Sequence, residues 1–271
     1  MSKFGIETKV DLPAVGENLQ DQPNIVFIYE ADTIFNGTTG YVTYGSITDF
    51  LGPMPSANLS EWAAIVSNAI NNTVPASALS FLFGIQYNLL KSGVPDAETI
   101  AGTTVQFGEG PSGYLGTAFW LLMPFSRGNV HISSADPLAY PAINPNYFLL
   151  DFDLEVQIAI AKWTRKFWST APIGSIVTEV SPGAAIPQNA TDEEWGSYVK
   201  SVFTANSHPL GTAAMMSKDL GGVVDGRLKV YGTSNVRVVD ASVMPFQVSG
   251  HLTSTLYAIS EKAADIIKED I

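Results

Sequence analysis

Two apolar rhythms alternate along these 271 residues, and together they admit only a mixed fold of strands and helices. Short β-rich runs at 24–29, 103–107, 118–123 and 129–132 predict strands. Between and after them the spacing changes. Val156, Ile160, Trp163 and Phe167 recur at helical intervals behind Asp151 or Asp153 as a cap. Thr191 and Glu194 form a capping box ahead of Trp195, Val199 and Val202. Leu252, Leu256, Ile259, Ala263 and Ile266 predict a last helix. Val236-Arg237-Val238-Val239 reads as a near-continuous apolar strand, the kind a parallel sheet buries on both faces. With 46% hydrophobic and 15% charged residues, the chain has enough apolar material for one large domain or two small ones. Trp120, Trp163 and Trp168 are read as core; Tyr114, Phe119 and Trp120 are the alternative lining of a cleft.

Two of the three histidines stand in the last quarter, in Asn206-Ser207-His208-Pro209-Leu210-Gly211-Thr212 and in Ser249-Gly250-His251. Imidazole, with an unperturbed pKa of about 6.5, can accept and return a proton near neutrality. Taken singly, each is a structural histidine. The setting argues for more, because a residue before proline is pushed out of the helical region, which puts His208 on a turning or extended backbone. His251 is expected at the first turn of the last helix, where the dipole disfavours the imidazolium and free backbone N–H groups can meet negative charge.

These segments carry a resemblance. The 206–212 stretch, Val238-Val239-Asp240-Ala241-Ser242-Val243-Met244-Pro245 and the helix after His251 resemble the carboxyl-terminal signature of the glucose-methanol-choline (GMC) oxidoreductases, FAD-dependent alcohol oxidases and dehydrogenases. Val10-Asp11-Leu12-Pro13 with Gly16-Glu17-Asn18-Leu19-Gln20-Asp21-Gln22 resembles the family's lid region, and Pro124-Phe125-Ser126-Arg127-Gly128 its middle motif. The wording of the tail is most similar to fungal glucose dehydrogenases and glucose oxidases. The resemblance implies an α+β protein: a substrate-binding domain of antiparallel sheet and helices over 26–203, a lid or connector over 1–25 that runs across the surface, and the C-terminal part of an FAD-binding α/β domain over 204–271. It implies His208 as the base that takes a hydroxyl proton and His251 as the holder of the same oxygen. Asp240, Asn18 and the backbone at His251 and Leu252 would contact FAD, and Asn206 and Thr204 the substrate. An electron acceptor, quinone or oxygen, completes the reaction.

Two departures qualify this. The family's amino-terminal strand, Gly-rich turn and helix that grip the ADP half of FAD are not found in residues 1–25. The only G-x-G-x-x-G string, Gly108 to Gly113, is followed by Tyr114-Leu115-Gly116-Thr117 rather than by an amphipathic helix, and is read as a loop. The expectation is a chain lacking the N-terminal half of its FAD domain, with some apolar surface of the tail left exposed. Second, Thr204 stands where glucose-specific relatives carry Arg, so five fixed donors become one hydroxyl and glucose as substrate is in doubt.

A net charge of −12 excludes a counterion-displacing basic surface, and with it nucleic acid and anionic membrane as partners. The absence of cysteine removes disulfides, thiolate nucleophiles and Cys-ligated zinc. His131 alternates with Val130 and Ile132 and is read as structural. No Gly-x-Ser-x-Gly elbow supports serine hydrolysis. Sequons at Asn36, Asn58, Asn71 and Asn189 suit a secreted glycoprotein. Two other readings stand beside the oxidoreductase: a lyase or cyclase using the histidines without redox chemistry, and an inactive carbohydrate-binding remnant.

Overall fold

The computed structural model describes residues 1–33, 40–103 and 113–270. In chain order the strands are β1 (Glu17–Leu19), β2 (Pro23–Ala31), β3 (Tyr41–Gly45), β4 (Ala97–Thr103), β5 (Tyr114–Leu121), β6 (Gly128–His131), β7 (Ala142–Asn144), β8 (Val177–Ser181) and β9 (Thr204–Ala205). The helices are α1 (Ile47–Leu51), α2 (Leu59–Ala69), α3 (Ala76–Lys91), α4 (Asp151–Ser169), α5 (Asp192–Val202) and α6 (Thr253–Lys268). A large antiparallel sheet has the order β3-β4-β5-β2-β8, with β9 paired to β2, and a small one the order β1-β6-β7. The α+β expectation holds.

β2 shows why the large sheet lies where it does. Ile25, Phe27 and Tyr29 are buried, whereas Val26 and Ile28 between them are only half-buried, so one face meets the helices and the other does not. On the covered face Phe27 packs edge-on against Phe119, and Tyr29 stacks on Trp168 of α4 at 4.8 Å. Trp168 donates its indole N–H to Thr117 at 2.7 Å, and Gln157 of α4 accepts the Leu121 N–H. Thr117 and Gln157 are thus paired across the layers. The predicted strand at 103–107 begins earlier, as β4, and 104–107 lie outside the described residues.

The capping box at α5 forms as expected: Thr191 Oγ1 accepts the Glu194 N–H and Glu194 Oε2 accepts the Thr191 N–H. The expected cap of α4 does not. Leu150 occupies the cap position, and the fully buried Asp153 carboxylate accepts the N–H groups of Phe125 (2.8 Å) and Ser126 (2.7 Å) instead. Those bonds hold the 124–128 turn, where the Asp96 carboxylate also accepts the Met123 N–H. The expected surface course of residues 1–25 is corrected over its second half: 16–22 are buried, because their amides and carboxylates bond inward. The 236–239 strand is corrected too. Only an isolated antiparallel bridge, Lys229 to Arg237, forms there, and Val236 and Val239 stand exposed because among the described residues no strand flanks them.

Burial pushes the Asp96 carboxyl well above the ordinary carboxylate range, with the Asp153 charge adding to the effect and the Met123 N–H opposing it. An unfolded Asp ionises near pH 4, so the folded chain keeps a proton that the unfolded chain has released. Stability is therefore full below that pH and is lost as pH rises through the higher folded value. Asp96→Asn is expected to keep the acceptor for Met123 and remove this dependence, lowering the slope of unfolding free energy by up to about 1.4 kcal/mol per pH unit across the window. Urea titrations from pH 4 to 8 check it; an unchanged slope would show that Asp96 ionises freely when folded.

Candidate active site

The tail folds back onto the 16–22 segment, and the hydrogen bonds name the reason for each residue there. Gln20 and Leu210 exchange backbone bonds at 3.0 and 3.1 Å. Asp21 Oδ1 accepts the N–H of His208 at 2.9 Å and that of Gln22 at 2.7 Å. Gly211, at φ +95°, sits where a Cβ would come within 2.4 Å of the Asn18 carbonyl, so only glycine lets the two segments touch. Ser207, just before the histidine, also has a positive φ of 61°, an uncommon geometry that the surrounding bonds hold in place.

Gln22 decides the state of the His208 ring. Its Nε2 donates to the Leu122 carbonyl at 2.8 Å, which fixes the amide so that Oε1 faces His208 Nδ1 at 2.7 Å. A carbonyl oxygen only accepts, so the network assigns the imidazole proton to Nδ1 and leaves the Nε2 lone pair free. Asn206 Nδ2 donates to the same oxygen at 3.0 Å and lies 3.0 Å from Nδ1. Burial lowers the His208 pKa below the usual imidazole value, and the nearby His251 lowers it further; the Asp21 charge acts the other way. The ring is accordingly neutral at neutral pH.

His251 stands two residues before α6, not in its first turn; Leu252 is the cap residue, and it packs with Leu210 and Met244. The His251 Nε2 is 2.8 Å from Glu98 Oε1, and the ring lies edge-on to Trp120 at 5.8 Å. The rings of His208 and His251 are 5.2 Å apart and nearly perpendicular, at 81°. Glu98 is fully buried, and that burial raises its pKa, while His251 and Tyr44 lower it. When Glu98 carries the proton it donates to Nε2 and leaves the His251 proton on Nδ1; when ionised it accepts from Nε2.

The structure therefore brings His208, His251 and Asn206 together, with Thr204 on exposed β9 opposite Asn24. Sequence reasoning missed Asp21, Gln22, Glu98 and Gln247, whose Nε2 donates to the His208 carbonyl. Asp21 and Gln22 lay within the quoted motif; Glu98, an acid inside a β-rich run, was the one readable signal for its own role. Asn18 turns its side chain into the protein: its Nδ2 donates to the carbonyls of Gly211 and Pro245, and its Oδ1 accepts from Arg127 Nε. Asp240 is exposed, and its Oδ1 accepts from the Ser242 N–H while Oδ2 has no side-chain or backbone bond among the described residues. His131 is apart from this site, on β6, with Nε2 2.8 Å from Glu17. Of the Gly108 to Gly113 string, 108–112 lie outside the described residues, and Gly113 leads into β5 rather than a helix.

The sequence profile of the GMC oxidoreductases matches residues 124–260, half of the chain. The chain belongs to the GMC oxidoreductase family. Among GMC relatives, a glucose oxidase-like protein of Humicola fuscoatra is 43% identical over 97% of this chain and 45% of its own length. Glucose oxidase of Aspergillus carbonarius is 34% identical over 100% of this chain and 45% of its own length. The chain thus spans a little under half the length of these curated relatives. A fungal aryl-alcohol oxidase superposes with a TM-score of 0.82 at 28% identity, over 99% of this chain and 50% of that one. A formate oxidase gives 0.70 at 27%, over 99% and 50%. FAD is the cofactor that the GMC family implies.

Proposed function

We propose that this chain supplies the substrate side of an FAD-dependent oxidation of a CH–OH group. His208 Nε2 takes the hydroxyl proton, the carbon–hydrogen bond breaks with its electron pair, and the carbonyl forms. His251 holds the same oxygen, as a donor through Nδ1 while Glu98 keeps its own proton. FAD, when bound, supplies the acceptor for the hydride. The observation that carries the reading is the Gln22 bond that leaves His208 Nε2 bare beside a second imidazole. A free lone pair on a ring held neutral is what a general base requires.

The residues fit the cofactor. The first turn of α6 has no side-chain cap and no acidic residue, so its N–H groups beside His251 and Leu252 are available to hydrogen-bond acceptors of the cofactor. Asp240 keeps one oxygen for a ribityl hydroxyl, and Asn18 could contribute only its backbone. Residues 1–25 and 204–271 would belong to the FAD-binding part and 26–203 to the substrate-binding part, in support of which 16–22 and 206–212 bond to each other. We place the native protein outside the cell: Asn58, Asn71 and Asn189 are all exposed, and Asn36 lies outside the described residues. No helix among the described residues is long and apolar enough to cross a membrane.

Anaerobic addition of alcohols to the flavin-loaded protein tests the proposal, with bleaching of the flavin spectrum as the expected result. Turnover without bleaching would overturn it in favour of a lyase. Glu98→Gln, whose amide can donate to His251 Nε2, is expected to keep most of the reduction rate and to remove any loss of rate as pH climbs through the raised Glu98 pKa. Glu98→Leu is expected to lower the rate at least about tenfold. Rates unaffected by either change would remove Glu98 from the mechanism.

A further inference from the structure

Residues opposite one another on neighbouring strands share a face, so the register of the large sheet sorts its side chains into rows. On the face that bears Glu98 the first row runs Tyr44, Glu98, Trp120, Asn24 and Thr204 across β3, β4, β5, β2 and β9. This row meets the histidines, through the Glu98 bond and the Trp120 edge. It is polar, and among the described residues Trp120 Nε1 and Asn24 Oδ1 are buried atoms with no hydrogen-bond partner. Buried polar atoms are normally paired, so these unpaired ones beside the histidines point to a polar ligand group.

The next row lies about 7 Å along the strands and changes character. It consists of Val42, Ile100, Ala118 and Val26. Beyond it come Gly102, Gly116 and Ile28, where two central strands carry no side chain at all. Across β3, β4, β5 and β2 neither row contains a side-chain donor or acceptor, and on β8 the Ser181 hydroxyl opposite Ile28 is paired with Tyr198. Val42 is exposed and Val26, Ile28 and Ile100 are half-buried, in contrast to Ile25, Phe27, Tyr29 and Phe119, which are buried on the opposite face.

We propose that this face is the wall along which the substrate lies, and that it selects a hydroxyl borne on an apolar body of about six carbons or more over a hexose. The proposal rests on the alcohol-oxidation reading only for where the hydroxyl sits. A hexose laid here would press most of its hydroxyls against Val, Ile and Ala and lose their water without new bonds. An alkyl or aryl body gains by the same burial. Thr204, at the end of the polar row, offers a single hydroxyl and cannot satisfy a polyol by itself.

Binding to the full chain, followed by saturation-transfer NMR with octan-1-ol, 1-methoxyoctane and D-glucose as probes, tests it. Octanol is expected to bind at least tenfold more tightly than glucose, and more tightly than the ether, which cannot donate to His208. The double variant Val26→Thr/Ile100→Thr keeps β-branched shape in both strands and is expected to weaken octanol binding at least fivefold. Ile143→Thr, on exposed β7 of the small sheet, should leave it unchanged. Circular dichroism verifies that the variants fold. Glucose binding as tight as octanol, or octanol affinity indifferent to the double variant, overturns the proposal. Flavin bleaching separates the two readings. Octanol bound at these rows without bleaching sustains the apolar wall and sinks the oxidation, whereas bleaching by glucose alone sustains the oxidation and sinks the wall.

Discussion

His208→Ala is expected to slow alcohol-dependent flavin reduction by about 10²–10⁴-fold, the usual worth of a positioned general base. The loss should fall on the reduction step, with folding and flavin binding retained, because the side chain is only half-buried and its loop is held by backbone bonds. The His208 N–H goes to Asp21, its carbonyl accepts from Gln247, and the Gln20–Leu210 pair lies beside it. Gln22→Leu gives the second half of the argument. It removes the acceptor that keeps the proton on Nδ1, so both tautomers become populated and the rate should fall several-fold, far less than for the alanine variant. In the unaltered protein, burial and the His251 charge lower the His208 pKa. The acid limb of the reduction rate should therefore lie below about pH 6.5, the value for an ordinary imidazole. Stopped-flow absorbance across pH 4.5 to 8 reads all three results. A His208→Ala rate equal to that of the parent would exclude His208 as the base.

Arg127→Met should cost about 3–5 kcal/mol of stability. The guanidinium is among the most buried groups in the chain, and desolvation lowers its pKa to about 9, with the Asp153 charge opposing that fall. It donates to Asn18 Oδ1 at 3.1 Å, to Gln86 Oε1 at 3.0 Å, and to the Pro124 and Ser126 carbonyls. Methionine fills comparable volume but satisfies none of these acceptors, and each buried acceptor left bare costs about 1–3 kcal/mol. The damage reaches the site, since Asn18 anchors the segment that carries Asp21 and Gln22. Denaturant titration should show the lower midpoint, and alcohol binding should weaken in parallel. A midpoint within about 0.5 kcal/mol of the parent, the range of ordinary surface changes, would mean that water replaces the guanidinium in this pocket.

How much of this could be read from the sequence varied with how local the cause was. The strand at 24–29 and the helix at 156–167 were legible because a single element shows its own buried face by its period. The Thr191–Glu194 box was legible because both partners lie within one turn. Asp153 was misjudged for the opposite reason: as a cap it would act on its own helix, but Phe125 and Ser126, 28 and 27 residues earlier, offer two buried N–H groups that outweigh an exposed helix end. Val236 to Val239 failed as a strand because an apolar run needs a neighbour to pair with.

The sequence by itself carried the resemblance to the family, which in turn implied the α+β class and the grouping of His208, His251 and Asn206, because each matching motif is a short continuous run of residues. Only the tertiary structure decided what state those residues are in. Gln22 lies 186 residues from His208, and Glu98 lies 153 from His251, yet these two contacts set which nitrogen carries a proton. The rows of the substrate wall likewise exist only once the strand registers are fixed. Neither is local, because proton position and surface polarity depend on which groups face one another across the fold, and chain order does not record that.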